Sequence, residues 1–186
     1  MRRLSALALA LVLAAPATAD AASRRLLVDG DSLAVGTQPY LPKELRHWQV
    51  TQSAAVSRHA FEGADVMRSY GSSLPRVIHV SLGTNDDPRT VDAFRAAIRE
   101  VMEVAGPRRC VVWTNIVRPA VAGASYAGYN RALARESRPR ENLRVVNWAG
   151  MVRENPHWLA SDGVHVNADG YQARAKAIAR SVRRCA

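Results

Sequence analysis

The sequence predicts an α/β domain whose parallel sheet is covered by helices on both faces. Three observations carry this. Short apolar runs alternate with amphipathic stretches along the chain. Several runs are continuously apolar, as strands buried on both faces require. Polar and turn residues gather just after the runs, where open α/β sheets bind their ligands.

Leu26-Leu27-Val28 predicts a buried strand ending in the turn Asp29-Gly30-Asp31-Ser32. Leu33 to Leu45 is mixed and broken by Pro39 and Pro42, so a helix there is short or irregular. Trp48 to Thr51 predicts a second strand, and Phe61 to Tyr70 a helix closed by Gly71. Arg76 to Leu82 predicts a third strand that ends at Gly83-Thr84-Asn85-Asp86. After Pro88, the residues Val91, Phe94, Ile98, Val101 and Met102 recur at helical spacing, and Gly106-Pro107 stops that helix. Cys110 to Trp113 predicts a fourth strand, Tyr126 to Glu136 a helix and Leu143 to Trp148 a fifth strand. A loop rich in turn residues follows. The last helix, Asp169 to Arg184, sets Ala175, Ile178, Ala179 and Val182 on one face.

The first residues read as a leader. Arg2 and Arg3 precede the apolar run Leu4–Ala15, followed by Pro16 and Ala17-Thr18-Ala19. A basic start, a short apolar stretch and an Ala-x-Ala site describe a secretory signal peptide over residues 1–19, with cleavage after Ala19 or Ala21. The run would reach only about 18 Å as a helix, against a hydrocarbon core of about 30 Å, so a permanent anchor is the weaker reading. Residues 23–186 then form one domain, since 186 residues in all support one full core and not two. The localisation expected is secreted or periplasmic, and the oligomeric state expected is a monomer. An exported chain folds under oxidising conditions, where its two cysteines, Cys110 and Cys185, suit one disulfide; two unpaired thiols are the other reading.

The net charge of +10 invites a nucleic-acid reading. The arginines are spread along the chain and form no single run, so no specific nucleic-acid partner is expected. A basic surface favours anionic envelope polymers or lipid head groups.

Three loops hold residues capable of chemistry. Ser32, just past a buried strand, can expose its hydroxyl at the top of the sheet; taken alone it reads sooner as a helix cap. Asp162-Gly163-Val164-His165 offers a base for that serine and a carboxylate to orient the base; taken alone it also reads as a loop histidine beside a capping aspartate. Asn85 can donate its amide to a developing oxyanion, or is a turn asparagine after Gly83. The remaining histidines, His47, His59, His79 and His157, lack such neighbours, and His79 inside a strand reads as structural.

Taken together and in order, Gly30-Asp31-Ser32, Gly83-Thr84-Asn85-Asp86 and Asp162-Gly163-Val164-His165 resemble the SGNH hydrolases, also called the GDSL lipase and esterase family. The resemblance runs from about Arg25 to the last helix. It implies a flavodoxin-like three-layer α/β/α sandwich with a five-stranded parallel sheet, and an esterase that needs no cofactor and no metal. It implies Ser32 as nucleophile, His165 as general base and acid, and Asp162 as orienting carboxylate. The implied oxyanion hole is the Ser32 amide, a glycine amide after the second strand and the Asn85 side chain.

The sequence departs from the family pattern at that glycine: Ser57 stands at the matching position, followed by Arg58. A backbone amide serves equally in serine where φ and ψ permit. For substrate contacts, Arg58, Arg118 and Trp158 are the candidates, and the partner expected is an ester-bearing small molecule, a lipid or an acylated envelope glycan. An acyltransferase on envelope carbohydrate would share the chemistry up to the acyl-enzyme. A non-catalytic carbohydrate or envelope binder is the third reading.

Overall fold

Five parallel strands lie side by side in the order β2-β1-β3-β4-β5. They are β1 (Arg25–Gly30), β2 (Gln49–Ala54), β3 (Val77–Ser81), β4 (Cys110–Thr114) and β5 (Leu143–Val146). The computed structural model describes residues 24–185, so the leader read at residues 1–19 lies outside the described residues. Among the described residues seven α-helices cover the sheet: α1 (Ser32–Thr37), α2 (Leu41–Glu44), α3 (Gly63–Ser69), α4 (Val91–Ala105), α5 (Ala127–Ser137), α6 (Trp148–Glu154) and α7 (Ala168–Arg183).

The period of two along each strand sorts the sheet into two dry faces. Leu27, Ile78, Val80, Val111 and Trp113 face α3, α4 and α5, joined there by Met67, Phe94, Ile98 and Leu133. Leu26, Val28, Val77 and Val112 face α1, α2 and α7, against Ala34, Leu41, Ile178 and Val182. This is the expected three-layer sandwich.

β2 runs further than its apolar residues suggest, because it is an edge strand that is only partly buried. β5 stops two residues before the predicted end. There the Asn147 side chain accepts the Gly150 amide at 3.1 Å and starts α6, so Trp148 is the first residue of a helix and not the last of a strand. Cys110, at the start of β4, is disulfide-bonded to Cys185 beyond α7. The bridge closes a 75-residue separation, which in the chain-entropy model stabilises the fold by roughly 4 kcal/mol. Among the described residues no helix is long and apolar enough to cross a membrane.

The strand order reverses between β1 and β3, whose carboxyl ends therefore open a crevice. The loops carrying Ser32 and Asn85 leave the sheet at that crevice.

Candidate active site

Ser32 is placed by a glycine that no other residue replaces. A Cβ at Gly30 would stand 2.4 Å from the Ala34 Cβ, so only glycine lets α1 begin immediately after β1. Asp31 caps that helix, its Oδ1 accepting the Leu33 amide at 2.9 Å. Ser32 is thus the first residue of α1, half-buried at the carboxyl edge of the sheet.

His165 and Asp162 sit in a loop pinned at both ends. Leu159 and Val166 form an antiparallel bridge, and the Ala160 amide donates to the His165 carbonyl at 2.8 Å. Asn167 then caps α7 by accepting the Gly170 amide. Within this loop Asp162 Oδ1 accepts the amides of Val164 and His165 at 2.9 and 3.0 Å. Its other oxygen, Oδ2, lies 2.6 Å from His165 Nδ1. The His165 hydrogen bond and those two amides hold the Asp162 carboxyl down to about 2. On the far side of the ring, His165 Nε2 lies 2.8 Å from Ser32 Oγ. With Asp162 accepting from Nδ1, Nε2 is the ring nitrogen free to take the serine proton.

Asn85 follows β3 after Gly83, which has φ +109° and whose added Cβ would meet Phe94 at 2.6 Å. Its Nδ2 donates to the Arg58 carbonyl at 3.1 Å, which leaves the second amide hydrogen for a ligand. Asp86 braces the same two loops by accepting the Ala60 amide and contacting His59 Nδ1, both at 3.0 Å.

Ser57 stands next to Arg58 in a turn closed by the Arg58 amide on the Ala55 carbonyl at 3.2 Å. It has φ +64°, the left-handed region that glycine adopts without strain. The backbone path expected of the glycine is therefore kept with a serine in it. Ser57→Gly is expected to retain the amide donor, leave kcat for an ester within about threefold and stabilise the fold by about 0.5–1 kcal/mol. Urea melts and ester kinetics check this. A tenfold loss of kcat would mean that the Ser57 hydroxyl, and not its amide, does the work.

Ser32, Asn85, Asp162 and His165 line one cleft of about 370 Å³, together with Arg118, Pro119, Ala120, Val121 and Val164. A larger cleft of about 530 Å³, lined by Lys43, Arg46, His47, Trp48 and Arg183 among others, opens at the amino ends of the strands and pairs no nucleophile with a base. The smaller cleft is the candidate site, because it brings a nucleophile, a base and a carboxylate together. Arg58 and Trp158, read from the sequence as substrate contacts, are placed otherwise. Arg58 is occupied by Asp29 in β1, Nη1 to Oδ1 at 2.8 Å, and by the Ser53 carbonyl. Trp158 is stacked on the buried Trp148 with ring centroids 5.8 Å apart.

Arg118, the third residue read from the sequence as a substrate contact, does line the cleft, in the wall 118–121 contributed by the loop after β4. One feature of the site lies outside the sequence reading, a buried polar layer beneath α1. Arg174 of α7 donates Nη2 to Ser81 Oγ at 2.8 Å and lies 5.2 Å over the Trp148 ring. Burial pulls its pKa down to about 10 while Asp31 pulls it up, so it is charged at neutral pH; burial in turn raises the Asp31 carboxyl against the pull of Arg174. Beside it His79 hydrogen-bonds Thr114 Oγ1 at 2.9 Å, and burial lowers its pKa to about 3, which keeps it neutral and structural.

No protein-family model and no curated protein matches the sequence. Solved structures do match the fold. A carbohydrate esterase family 3 protein from Talaromyces cellulolyticus aligns at TM-score 0.72 with 17% identity, over 86% of this chain and 96% of that one. A GDSL-like lipase from Bacteroides thetaiotaomicron aligns at TM-score 0.71 with 16% identity, over 94% and 93%. The chain has the SGNH hydrolase fold. A third structure with this SGNH fold is the C-terminal catalytic domain of Streptococcus pneumoniae peptidoglycan O-acetyltransferase A. It aligns at TM-score 0.68 with 19% identity, over 88% of this chain and 92% of that one.

Proposed function

We propose that the protein is a secreted serine esterase that cleaves carboxylic esters through an acyl-enzyme on Ser32. The observation that carries this reading is the continuous chain Asp162–His165–Ser32, with contacts of 2.6 and 2.8 Å. Ser32 Oγ attacks the ester carbonyl carbon while His165 Nε2 takes its proton. The carbonyl oxygen becomes an oxyanion, received by the amides of Ser32 and Ser57 and by Asn85 Nδ2. The carbonyl re-forms, the C–O bond breaks, and the alcohol leaves with the proton from His165. Water then attacks the acyl-enzyme, giving its proton to Nε2, and that proton returns to Ser32 Oγ as the acid departs.

The cleft of about 370 Å³ favours short acyl groups. The leader over residues 1–19 and the Cys110–Cys185 bridge support a secreted or periplasmic protein. The structural likeness to a carbohydrate esterase supports an acylated envelope glycan among the candidate substrates. The likeness to a peptidoglycan O-acetyltransferase domain favours a second reading, in which a sugar hydroxyl replaces water as the acyl acceptor.

The test is hydrolysis of p-nitrophenyl acetate, butyrate and octanoate, with parallel labelling by an alkyl phosphonofluoridate. Turnover that falls with chain length is expected, with one phosphonyl group found on the peptide containing Ser32. A folded protein that neither turns over nor takes the label overturns the reading. Label without hydrolysis, together with acetyl transfer to an added sugar, would select the transferase.

A further inference from the structure

The cleft wall carries a cation that the hydrolytic machinery does not use. Of the cleft-lining side chains, Arg118 is the one guanidinium. Its Nη1 donates to the Thr84 carbonyl, one residue before Asn85, and its guanidinium carbon lies 5.9 Å from the Tyr126 ring centroid. Both contacts fix the head group beside the loop that carries Asn85, so its remaining donors are pre-organised. Among the described residues Arg118 has no carboxylate partner, in contrast to Arg58 with Asp29 and Arg89 with Asp87. The carboxylate that shares the cleft, Asp162, is engaged by His165 and by two backbone amides. The nearby Asp86 and Asp87 are taken up by His59 and Arg89. The rest of the wall, Pro119, Ala120, Val121 and Val164, is small and apolar.

We propose that Arg118 makes this cleft selective for esters that bear a carboxylate a few bonds from the scissile carbonyl. The inference rests on the ester-hydrolase reading and names its substrate class. A guanidinium held in place offers a carboxylate a two-pronged, charge-assisted contact that a neutral ester lacks. That contact is worth roughly 10- to 100-fold in selectivity. The carboxylate belongs either to the acid or to the alcohol of the ester, and two probe pairs separate these cases.

The acid-side pair is mono-p-nitrophenyl succinate against its methyl ester. The alcohol-side pair is 4-acetoxybenzoate against its methyl ester. The expected result is a kcat/KM at least tenfold higher for the charged member of one pair. Arg118→Gln should cut that ratio at least tenfold, and Arg118→Lys should retain part of it. Arg108→Gln, an exposed cation before β4, should leave the ratio unchanged. Ratios that Arg118→Gln moves less than twofold in both pairs overturn the proposal. A binding measurement keeps this independent of turnover: calorimetric titration of Ser32→Ala with monophenyl succinate, with and without Arg118→Gln. A tenfold weaker Kd without Arg118 supports the subsite, and equal Kd values sink it. If no ester is turned over, the hydrolase reading fails while the binding result still decides on Arg118.

Discussion

Ser32→Ala is expected to lower kcat for ester hydrolysis by about 10⁴- to 10⁶-fold while the protein stays folded. The size follows from how the three side chains depend on one another. Ser32 Oγ becomes a competent nucleophile through His165 Nε2 at 2.8 Å, and His165 presents that nitrogen through Asp162 at 2.6 Å. Groups acting as one unit are lost together, so His165→Ala should cost about as much as Ser32→Ala, and the double variant little more than either. Asp162→Asn should cost about 10⁴-fold, because an amide at Oδ2 favours the wrong imidazole tautomer. Asp162 is half-exposed in an outer loop, so none of these changes opens the core. Steady-state kinetics on p-nitrophenyl acetate with circular dichroism of each variant makes the check. A folded Ser32→Ala protein with wild-type turnover refutes the nucleophile, and strictly additive losses refute the concerted unit. The pH profile adds a constraint. Asp162 is held down to about 2, so its charge contributes above about 4 and is lost only as pH falls toward 2. Loss of rate at milder acidity is therefore not the loss of the Asp162 charge.

The elements that position this site are legible where one side of the chain must be dry. β1, β3 and β4 are buried on both faces and read as apolar runs, and α4 shows its stripe because Phe94, Ile98 and Val101 pack on the sheet. α6 was not legible: seven residues give less than two turns of periodicity, and its start depends on the Asn147 side chain and not on an apolar pattern. Ser32, Asn85, Asp162 and His165 were legible because each follows a glycine turn or shares one with its partner, at the carboxyl edge of the sheet. In the loop 118–121, which leaves β4 at that same edge, Arg118 is legible as a cation, while Pro119, Ala120 and Val121 carry no polar group to mark them. Arg174 is marked in the sequence by its place on the last helix. It lies four residues before Ile178, on the same face as Ala175 and Val182, and a cation on that apolar stripe needs a buried partner. Ser81 Oγ is the partner in contact, and Asp31 acts on Arg174 through space.

Arg58→Met is expected to destabilise the fold by about 2 kcal/mol more at pH 8.5 than at pH 5. The cause is Asp29, fully buried in β1 with Arg58 Nη1 at 2.8 Å from its Oδ1. Burial pushes the Asp29 carboxyl up to about 7 against the pull of Arg58. A carboxyl raised by folding adds stability that is full below its unfolded value of 3.8 and lost as pH rises through about 7. Removing Arg58 removes the pull that opposes burial, so the folded value rises further and the loss extends to higher pH. At pH 5 Asp29 carries its proton with or without Arg58, and the two proteins converge. The same substitution reaches the chemistry, because the Arg58 carbonyl anchors Asn85 and its neighbour Ser57 supplies an oxyanion donor under the proposed mechanism. Loosening that turn should lower kcat by about 100-fold, the usual cost of one lost donor. Adding Asp29→Asn removes the stranded charge, so the double variant should regain most of the stability at pH 8.5. Urea melts of the three proteins at the two pH values decide the matter. A loss equal at both pH values, or no rescue by Asp29→Asn, would show that Arg58 supports this turn by packing and not by its charge.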